Sequence, residues 1–550
     1  MSSARTCSYS VVLDEPHKKT YICPRPVLVD YGEEENYCLF HSNNLDLKKD
    51  IFNREIKKAL NGNPSGLFIE GQRNFEEYYD FLGFTFPAET SHFDYNSIKK
   101  IDNHIIFQKC HFSDGLAFKI VRFGDQLELL DLEVDGDLLL FGSKIKGNLI
   151  IDNISVNGLV NFDGAQIGSH FIINGCDSEG TLLMNRLIVE KEIIVRNIIC
   201  GFWMKAEECD VNGNMQISGC VTDKISLKDS KIVGNLTISN CKSTKEIDLS
   251  HCHNVIDFKI TDSDATSIKL EGLNYSGILI ISDINLKGDL KNPSDLSDVI
   301  LEKASLIGTD LGTIAFNRAI IREASFDRVT FGLQRRSLDK LWKKILLPAW
   351  KPAQYRKDWS ALSYLSGRPK EMILEEARAR ANTNKEEKVT QFETAEKVYR
   401  SLKHEMEKQH AGNLARRMRA GELECKIHER HSMPEKFFLL LYRTINGYGL
   451  RWFRALLIWL MIVAGFGCFY NGNGATYEEY SEKTNIREIH STRINALEAI
   501  WHSFETTSIV AKPSKTIENQ AIKYVEGIER VISPLLLLMF IQAFRNTVRD

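Results

Sequence analysis

The sequence predicts a square β-solenoid, then a basic helical neck, then a two-span membrane hairpin. Three observations carry that prediction: a strict five-residue beat in the middle of the chain, its replacement after Phe331 by Lys/Arg-rich sequence with helical patterning, and two long apolar blocks near the end. From Ala304 to Phe331 the large apolar residues are Leu306, Leu311, Phe316, Ile321, Phe326 and Phe331. Two places before each stands Ala304, Thr309, Ile314, Ala319, Ala324 or Val329, mostly small or β-branched. A period of five fits neither an α-helix (about 3.6) nor a flat strand (about 2). It fits a coil with four short sides, each sending one bulky and one smaller side chain inward.

Upstream the pattern loosens into an apolar-x-Gly-x-apolar-x-apolar phrase. It runs through Ile145–Ile151, Val156–Phe162, Val211–Ile217 and Ile232–Ile238. Gly147 to Gly168 and Gly213 to Gly234 are each 21 residues apart, four fives plus one. Glycine at these corners is expected to supply the positive φ of a tight bend. Residues 85–331 have room for about eleven coils, which at ~4.8 Å per stacked strand make a rod on the order of 50 Å long. Cys220 and Cys241 are expected to stack as a buried ladder. The segment resembles the pentapeptide-repeat proteins, and the resemblance implies their fold, a right-handed quadrilateral β-helix, with a scaffold or docking role. No constellation on the rod looks catalytic. His251-Cys252-His253 has no second half at ligand spacing and reads as packing and solvated surface.

At 550 residues the chain has room for about two to four domains. Its net charge of −3 hides a segregation. Residues 105–331 hold 22 Lys/Arg against 32 Asp/Glu, and residues 332–454 hold 27 against 15. Twelve scattered cysteines without a secretory leader point to a reducing compartment rather than a disulfide framework.

In the N-terminal cap, residues 1–84, Cys38-Leu39-Phe40-His41 forms a C-x-x-H pair. Cys7 and Cys23 would complete a tetrahedral site for one structural zinc; the competing reading is a free-thiol cap over the first coil. The stretch Asn36–His41, a helix near Asp46–Leu60 and then Phe84-Thr85-Phe86-Pro87 resembles the leader that precedes the repeats in some bacterial pentapeptide-repeat proteins.

The neck, residues 332–436, opens with Arg335, Arg336, Lys340, Lys343, Lys344, Lys351, Arg356 and Lys357 around Trp342, Trp350 and Trp359. That mixture suits the anionic inner leaflet, or equally a helix capping the last coil. Val389–His410 and Leu414–His431 then predict an antiparallel helical hairpin around Gly412 and Asn413. Nucleic-acid binding is not expected, because few aromatic residues interleave its basic runs.

The membrane domain, residues 437–550, has spans at about 452–470 and 525–544. The second requires Glu526 and Glu529 at the interface or facing protein. Trp452, Arg454 and Arg545 are expected at the membrane interface. Lys436, Arg443, Arg451 and Arg454 before the first span, with Arg545 and Arg549 after the second, place both termini in the cytoplasm. Residues 494–510 are too short and amphipathic to cross and predict a re-entrant pore helix. Trp501, Ser503 and Thr506-Thr507-Ser508-Ile509-Val510 are similar to the pore helix and filter entrance of two-span potassium-type channels. No Gly-Tyr-Gly follows; the chain reads Ala511-Lys512-Pro513-Ser514, so a carbonyl-lined potassium filter is not expected. Glu505, Thr506, Thr507 and Ser508 are the candidate pore lining, with a ring of Glu505 favouring cations.

The order of parts, from Ala395–Lys403 through Leu441-Tyr442-Arg443, Asn446–Arg451 and Val525–Arg530, resembles bacterial pentapeptide-repeat proteins ending in an ion-channel-like two-span region. The resemblance implies a multi-pass protein of the bacterial inner membrane, a homotetramer around a pore, gated or tethered by cytoplasmic rods. Three functions compete. One is a channel-like protein that permeabilises the membrane in stress or phage defence when a cytoplasmic partner or trigger engages the rod. The others are a membrane-anchored scaffold, and a DNA mimic that engages topoisomerase. An enzyme is not expected: the chain has no phosphate-binding loop, G-x-S-x-G, H-E-x-x-H or dinucleotide fingerprint. His502, Ser503 and Glu505 are neighbours on one short helix and point apart, so they form no triad.

Overall fold

Alternating burial marks the four sides of one coil. Leu127, Leu129, Leu132, Val134, Leu138, Leu140, Ser143 and Ile145 point inward. The computed structural model describes residues 7–12, 20–23, 25, 37–42, 45–61, 78–94, 98, 100–286, 293–331, 372–429, 432–450, 452–473, 475–478, 491–493, 495–507 and 520–548. Two compact units divide the chain, Met1–Thr330 and Phe331–Asp550.

The first unit is a parallel β-solenoid of about eleven turns. In the coil just described the sides are the strands Leu127–Leu130, Glu133–Val134, Leu138–Leu139 and Lys144–Ile145. Stacking begins with Tyr78–Leu82 on His104–Gln108 and ends with Ser325–Asp327. Leu127 pairs with Ile105 on one side and Leu149 on the other, so this coil is 22 residues long, not 21. Two five-residue sides alternate with two six-residue sides. One six shrinks to five between Met215 and Leu236, a spacing of 21, and from Ser294 onward, where Ser294 pairs with Ile314, Ile300 with Ile320 and Ser305 with Ser325, the spacing is 20. The strict beat that announces the fold therefore belongs to its C-terminal coils.

The corner glycines act differently from the sequence expectation. Gly147, Gly168, Gly213 and Gly234 do not have positive φ. They are needed for clearance: a Cβ on Gly168 would lie 2.4 Å from Lys146 O, and one on Gly213 would lie 2.3 Å from Lys191 O, backbone of the preceding coil. Left-handed residues occupy the shorter corners instead, stacked as Asp131, Asn153, Gly175, Asn197, Gly219 and Asn240. Asn and Asp tolerate this conformation better than other side chains. They also cross-link coils: Asn153 Nδ2 donates to Asp131 Oδ1 (2.7 Å) and Asn174 Nδ2 to Asp152 Oδ1 (2.8 Å). Part of the rod's acid excess thus serves as ladder acceptor.

Inside, aromatic rings stack from coil to coil at the N-terminal end, Phe81 on Phe107 (4.6 Å) and Phe86 on Phe112 (4.4 Å). The register of Ser218 on Ser239 sets Cys220 over Cys241, both buried and unbridged, as expected. Helix α1 (Leu45–Leu60) covers the first coil, with Phe52 against Phe40 and Phe86. A solenoid needs such a cap, since its terminal coil has no neighbour to bury its core.

The second unit is helical: α2 (Leu374–Ala381), α3 (Lys385–Lys408), α4 (Gly412–Lys426), α5 (Met433–Asn446), α6 (Trp452–Gly472), α7 (Ala496–Thr507) and α8 (Gln520–Val548). The expected antiparallel hairpin is α3 and α4, pinned by Lys403–Glu422 (3.1 Å) and Lys426–Glu396 (3.6 Å). Gly421 lets it close, because a Cβ there would lie 2.3 Å from the Tyr399 ring. Among the described residues, two helices are long and apolar enough to cross a membrane, over Ala455–Gly472 and Ile522–Arg545. The Trp- and Lys/Arg-rich stretch 332–367 lies outside the described residues.

Candidate metal centre and membrane-helix cluster

The Cys/His cluster is built by two short loops and a hairpin. The antiparallel strands Ser10–Val12 and Thr20–Ile22 bring Cys7 and Cys23 side by side, held by Cys7 N to Arg25 O (2.9 Å) and Cys23 N to Tyr9 O (3.0 Å). A tight turn, with His41 N and Ser42 N both donating to Cys38 O, folds Cys38 and His41 onto the same point. The four residues are buried and their donor atoms all lie within 4.8 Å of one another. Cys7 Sγ to His41 Nδ1 is 3.5 Å, Cys38 Sγ to His41 Nδ1 is 3.3 Å, and Cys23 Sγ to Cys38 Sγ is 3.9 Å.

These separations fit a metal rather than a bridge. A tetrahedral ion with bonds of about 2.3 Å to sulfur and 2.0–2.1 Å to nitrogen sets S···S near ~3.8 Å and S···N near ~3.5 Å. Around the donors, His41 Nε2 lies 2.9 Å from the Leu82 carbonyl. A carbonyl can only accept, so Nε2 carries the proton and Nδ1 presents its lone pair to the thiols. Cys38 N donates to Cys7 Sγ (3.3 Å), and hydrogen bonds from the Cys38 and Cys7 thiols hold Cys23 far below the usual thiol range. Arg25, buried and stacked over Phe40 and Phe84, sets Nη1 3.9 Å from Cys23 Sγ. Three thiolates around a dication would leave one net negative charge, which this guanidinium would balance. Sequence spacing could not reveal Arg25, because its role depends on the hairpin.

In the second unit, Trp452 at the start of α6 packs on Phe540 and Phe544 near the end of α8, so the two helices run antiparallel. Arg545 is exposed at that same end, and Arg454 sits in the first turn of α6. Helix α7 is docked between them. Ser503, buried, lies 3.0 Å from the Val463 carbonyl of α6 and also donates to the Glu529 carboxylate of α8. Tyr470 OH of α6 donates to the same carboxylate. Glu529 is fully buried, so of the two sites open to it on sequence grounds it takes the protein-facing one, joining all three helices.

The four candidate pore residues part company. Glu505 is half-exposed and accepts from Trp501 Nε1 (2.8 Å). Thr506 is buried and donates to His502 O (2.8 Å), facing the packed side of α7. Thr507 ends the helix, and Ser508 lies outside the described residues. Trp501 is exposed on the opposite side of α7 from Ser503, and half-exposed Phe504 packs edge-on against Trp459 of α6 (5.7 Å), beside a groove of about 490 Å³ lined by Leu460, Val463 and Ala464. On the rod, Cys252 is buried with its thiol donating to Leu227 O (3.1 Å), while His251 and His253 are exposed, so that triplet converges on nothing.

No family model, curated protein or solved structure matches this chain.

Proposed function

We propose that this chain is a membrane-anchored β-solenoid whose membrane domain assembles, as a homo-oligomer, into an ion-conducting pore. One observation carries the reading: α7, 12 residues long and too short to span, is clamped between two span-length helices by a buried Ser503–Glu529–Tyr470 network. A tether needs only an apolar helix. An ionisable group held inside such a bundle is costly to keep and marks a functional site. The exposed Leu497 and Trp501, one turn apart on α7, give a neighbouring copy something to cover, and the tetramer implied by the resemblance to bacterial pentapeptide-repeat channel-like proteins closes the ring. The bacterial inner membrane, with termini inside, is the setting of this reading, and zinc in the Cys7/Cys23/Cys38/His41 centre is a structural staple of the cap. Reconstitution of the purified chain into liposomes tests the pore: ion flux together with a tetramer in detergent is expected. A monomer with no flux at any pH or with any added ligand overturns it.

A scaffold role has its own support. Ile199, Phe202, Trp203 and Val221 are exposed together on neighbouring coils of the acid-rich rod. Phe202 and Trp203 stand where the preceding coil has Gly180 and Thr181. A protein partner with a basic, apolar segment suits that patch. Retention of such a partner by the intact rod, its loss on Phe202→Ser/Trp203→Ser, and absence of flux would favour this reading over the pore.

A further inference from the structure

Helix α5 keeps a bare apolar face beside the span ends. Met433, Phe437 and Phe438 are 81%, 62% and 66% exposed, and Leu440 and Leu441 are exposed as well. At about 100° per residue these five side chains share one arc of roughly 160°, with Glu435, Lys436 and Arg443 outside it. The helix is well formed without that face being covered. Ser432 and Glu435 make a capping box, Pro434 sits in the first turn, and Gly447 closes the end in the left-handed conformation.

The placement of α5 narrows what covers the face. Gly447, Tyr448 and Gly449 are consecutive left-handed residues (φ 59°, 61° and 84°), so the chain turns sharply and α5 does not continue the axis of α6. Ile445 enters a buried cluster with Ala455, Trp459 and Val463 of α6 and Leu536 of α8. Helix α5 therefore lies against both spanning helices, toward the end that carries Trp452 and Arg545. Its inner side is tied to the hairpin: Arg443 Nη1 (3.4 Å) and Tyr448 OH (2.9 Å) both donate to buried Glu424. Toward that same end Phe453 and Leu457 of α6 and Ile541 and Phe544 of α8 are exposed and apolar as well.

We propose that α5 lies flat in the headgroup layer of the bilayer. Its Met433–Phe437–Leu441 face sinks to the acyl boundary, and Lys436 reaches anionic lipid phosphates. An amphipathic helix of this kind enters the interface by about 5–10 Å without crossing it. The placement gives the neck a joint with the membrane surface, since Glu424 connects α5 to α2 through Arg380 as well (3.2 Å). The proposal rests on the reading of α6 and α8 as spans, and its test separates the two.

Cys468 is the exposed cysteine; the other eleven are buried. In a full-length Cys468→Ser background, nitroxide labels are placed singly by Phe437→Cys, Leu441→Cys, Glu435→Cys and Leu538→Cys. The protein is reconstituted in phosphatidylethanolamine/phosphatidylglycerol vesicles, and collision with oxygen and with a water-soluble nickel chelate is measured. Labels at 437 and 441 should lose nickel accessibility relative to 435 while keeping oxygen accessibility, at a depth shallower than 538. Nickel access at 437 and 441 equal to that at 435 overturns the proposal. So does shielding from both reagents, which would mean that protein, such as a second copy, covers the face. Water-level accessibility at 538 instead removes the membrane reading on which the proposal stands.

Discussion

Replacing Gly213 by alanine isolates the force that makes the long corners glycine-rich. The new Cβ would lie 2.3 Å from Lys191 O and 2.8 Å from Lys191 C, both backbone of the preceding coil. Ordinary carbon–oxygen contacts begin near ~3.3 Å, so the corner must open by about 1 Å. Three hydrogen bonds span that seam: Ile193 N to Asn214 O (3.0 Å), Asn212 N to Val189 O (2.9 Å) and Asn214 Nδ2 to Glu192 Oε1 (3.0 Å). At about 1 kcal/mol net each they amount to about 3 kcal/mol. Loss of glycine's freedom in the unfolded chain offsets about 0.4–1 kcal/mol, leaving a net destabilisation of about 2–3 kcal/mol. Gly164 is the control: it has φ +66° and nothing within 4 Å of its Cβ position. There alanine meets only the left-handed penalty of about 1–2 kcal/mol, partly offset in the same way, and asparagine should be close to neutral. Denaturant melts and hydrogen exchange of the amides at 189–193 and 212–216 give the order Gly213→Ala, Gly164→Ala, Gly164→Asn from least to most stable. Equal stability of the two alanine variants would refute the clearance argument.

Other consequences are testable. Elemental analysis of the purified chain should find one zinc per polypeptide, and Cys38→Ser should remove it and expose the first coil to protease; zinc well below one per chain in the unaltered protein ends the assignment. Tyr470→Phe and Ser503→Ala each delete a hydrogen bond to a buried carboxylate, worth about 1.5–3 kcal/mol. Both should lower the melting temperature in detergent and alter flux, and unchanged values for both would remove the clamp from the argument. Hydrogen bonding to His104, 3.1 Å away, holds the half-buried Glu128 carboxyl below its ordinary value. A depressed folded-state value means that its stabilisation is complete above the unfolded carboxylate pKa, near ~4.3, and fades as pH falls through the lower folded value. The stability advantage over Glu128→Gln should therefore be present at pH 7 and vanish in acid; an advantage that persists undiminished well below that window contradicts the pairing.

Much of this was legible in the chain because it depends on residue order alone. Leu306, Leu311 and Phe316 announce a four-sided coil through side-chain periodicity, and the apolar runs after Trp452 and Val531 announce helices long enough to cross lipid. The C-x-x-H spacing of Cys38 and His41 pointed to the cluster, because two ligands on one tight turn converge whatever the rest of the chain does. The coil length was misread as 21 because Gly213–Gly234 samples a stretch where a side is shortened, and a spacing of identical residues does not reveal how strands register.

Tertiary structure decided the rest, since each remaining feature needs atoms far apart in sequence to meet. Gly168 is required by Lys146 O in the coil beneath it, a contact no local conformational rule contains. Arg25 comes within 3.9 Å of Cys23 Sγ, where it would offset the charge of a bound ion, only when the hairpin closes. Glu529 looked like a flaw in an apolar helix until Tyr470 and Ser503 arrived from two other helices to satisfy it. Periodicity and hydropathy are sums over neighbours along the chain and so are written in it. Clearance, charge balance and hydrogen-bond satisfaction are properties of pairs, and only folding chooses the pairs.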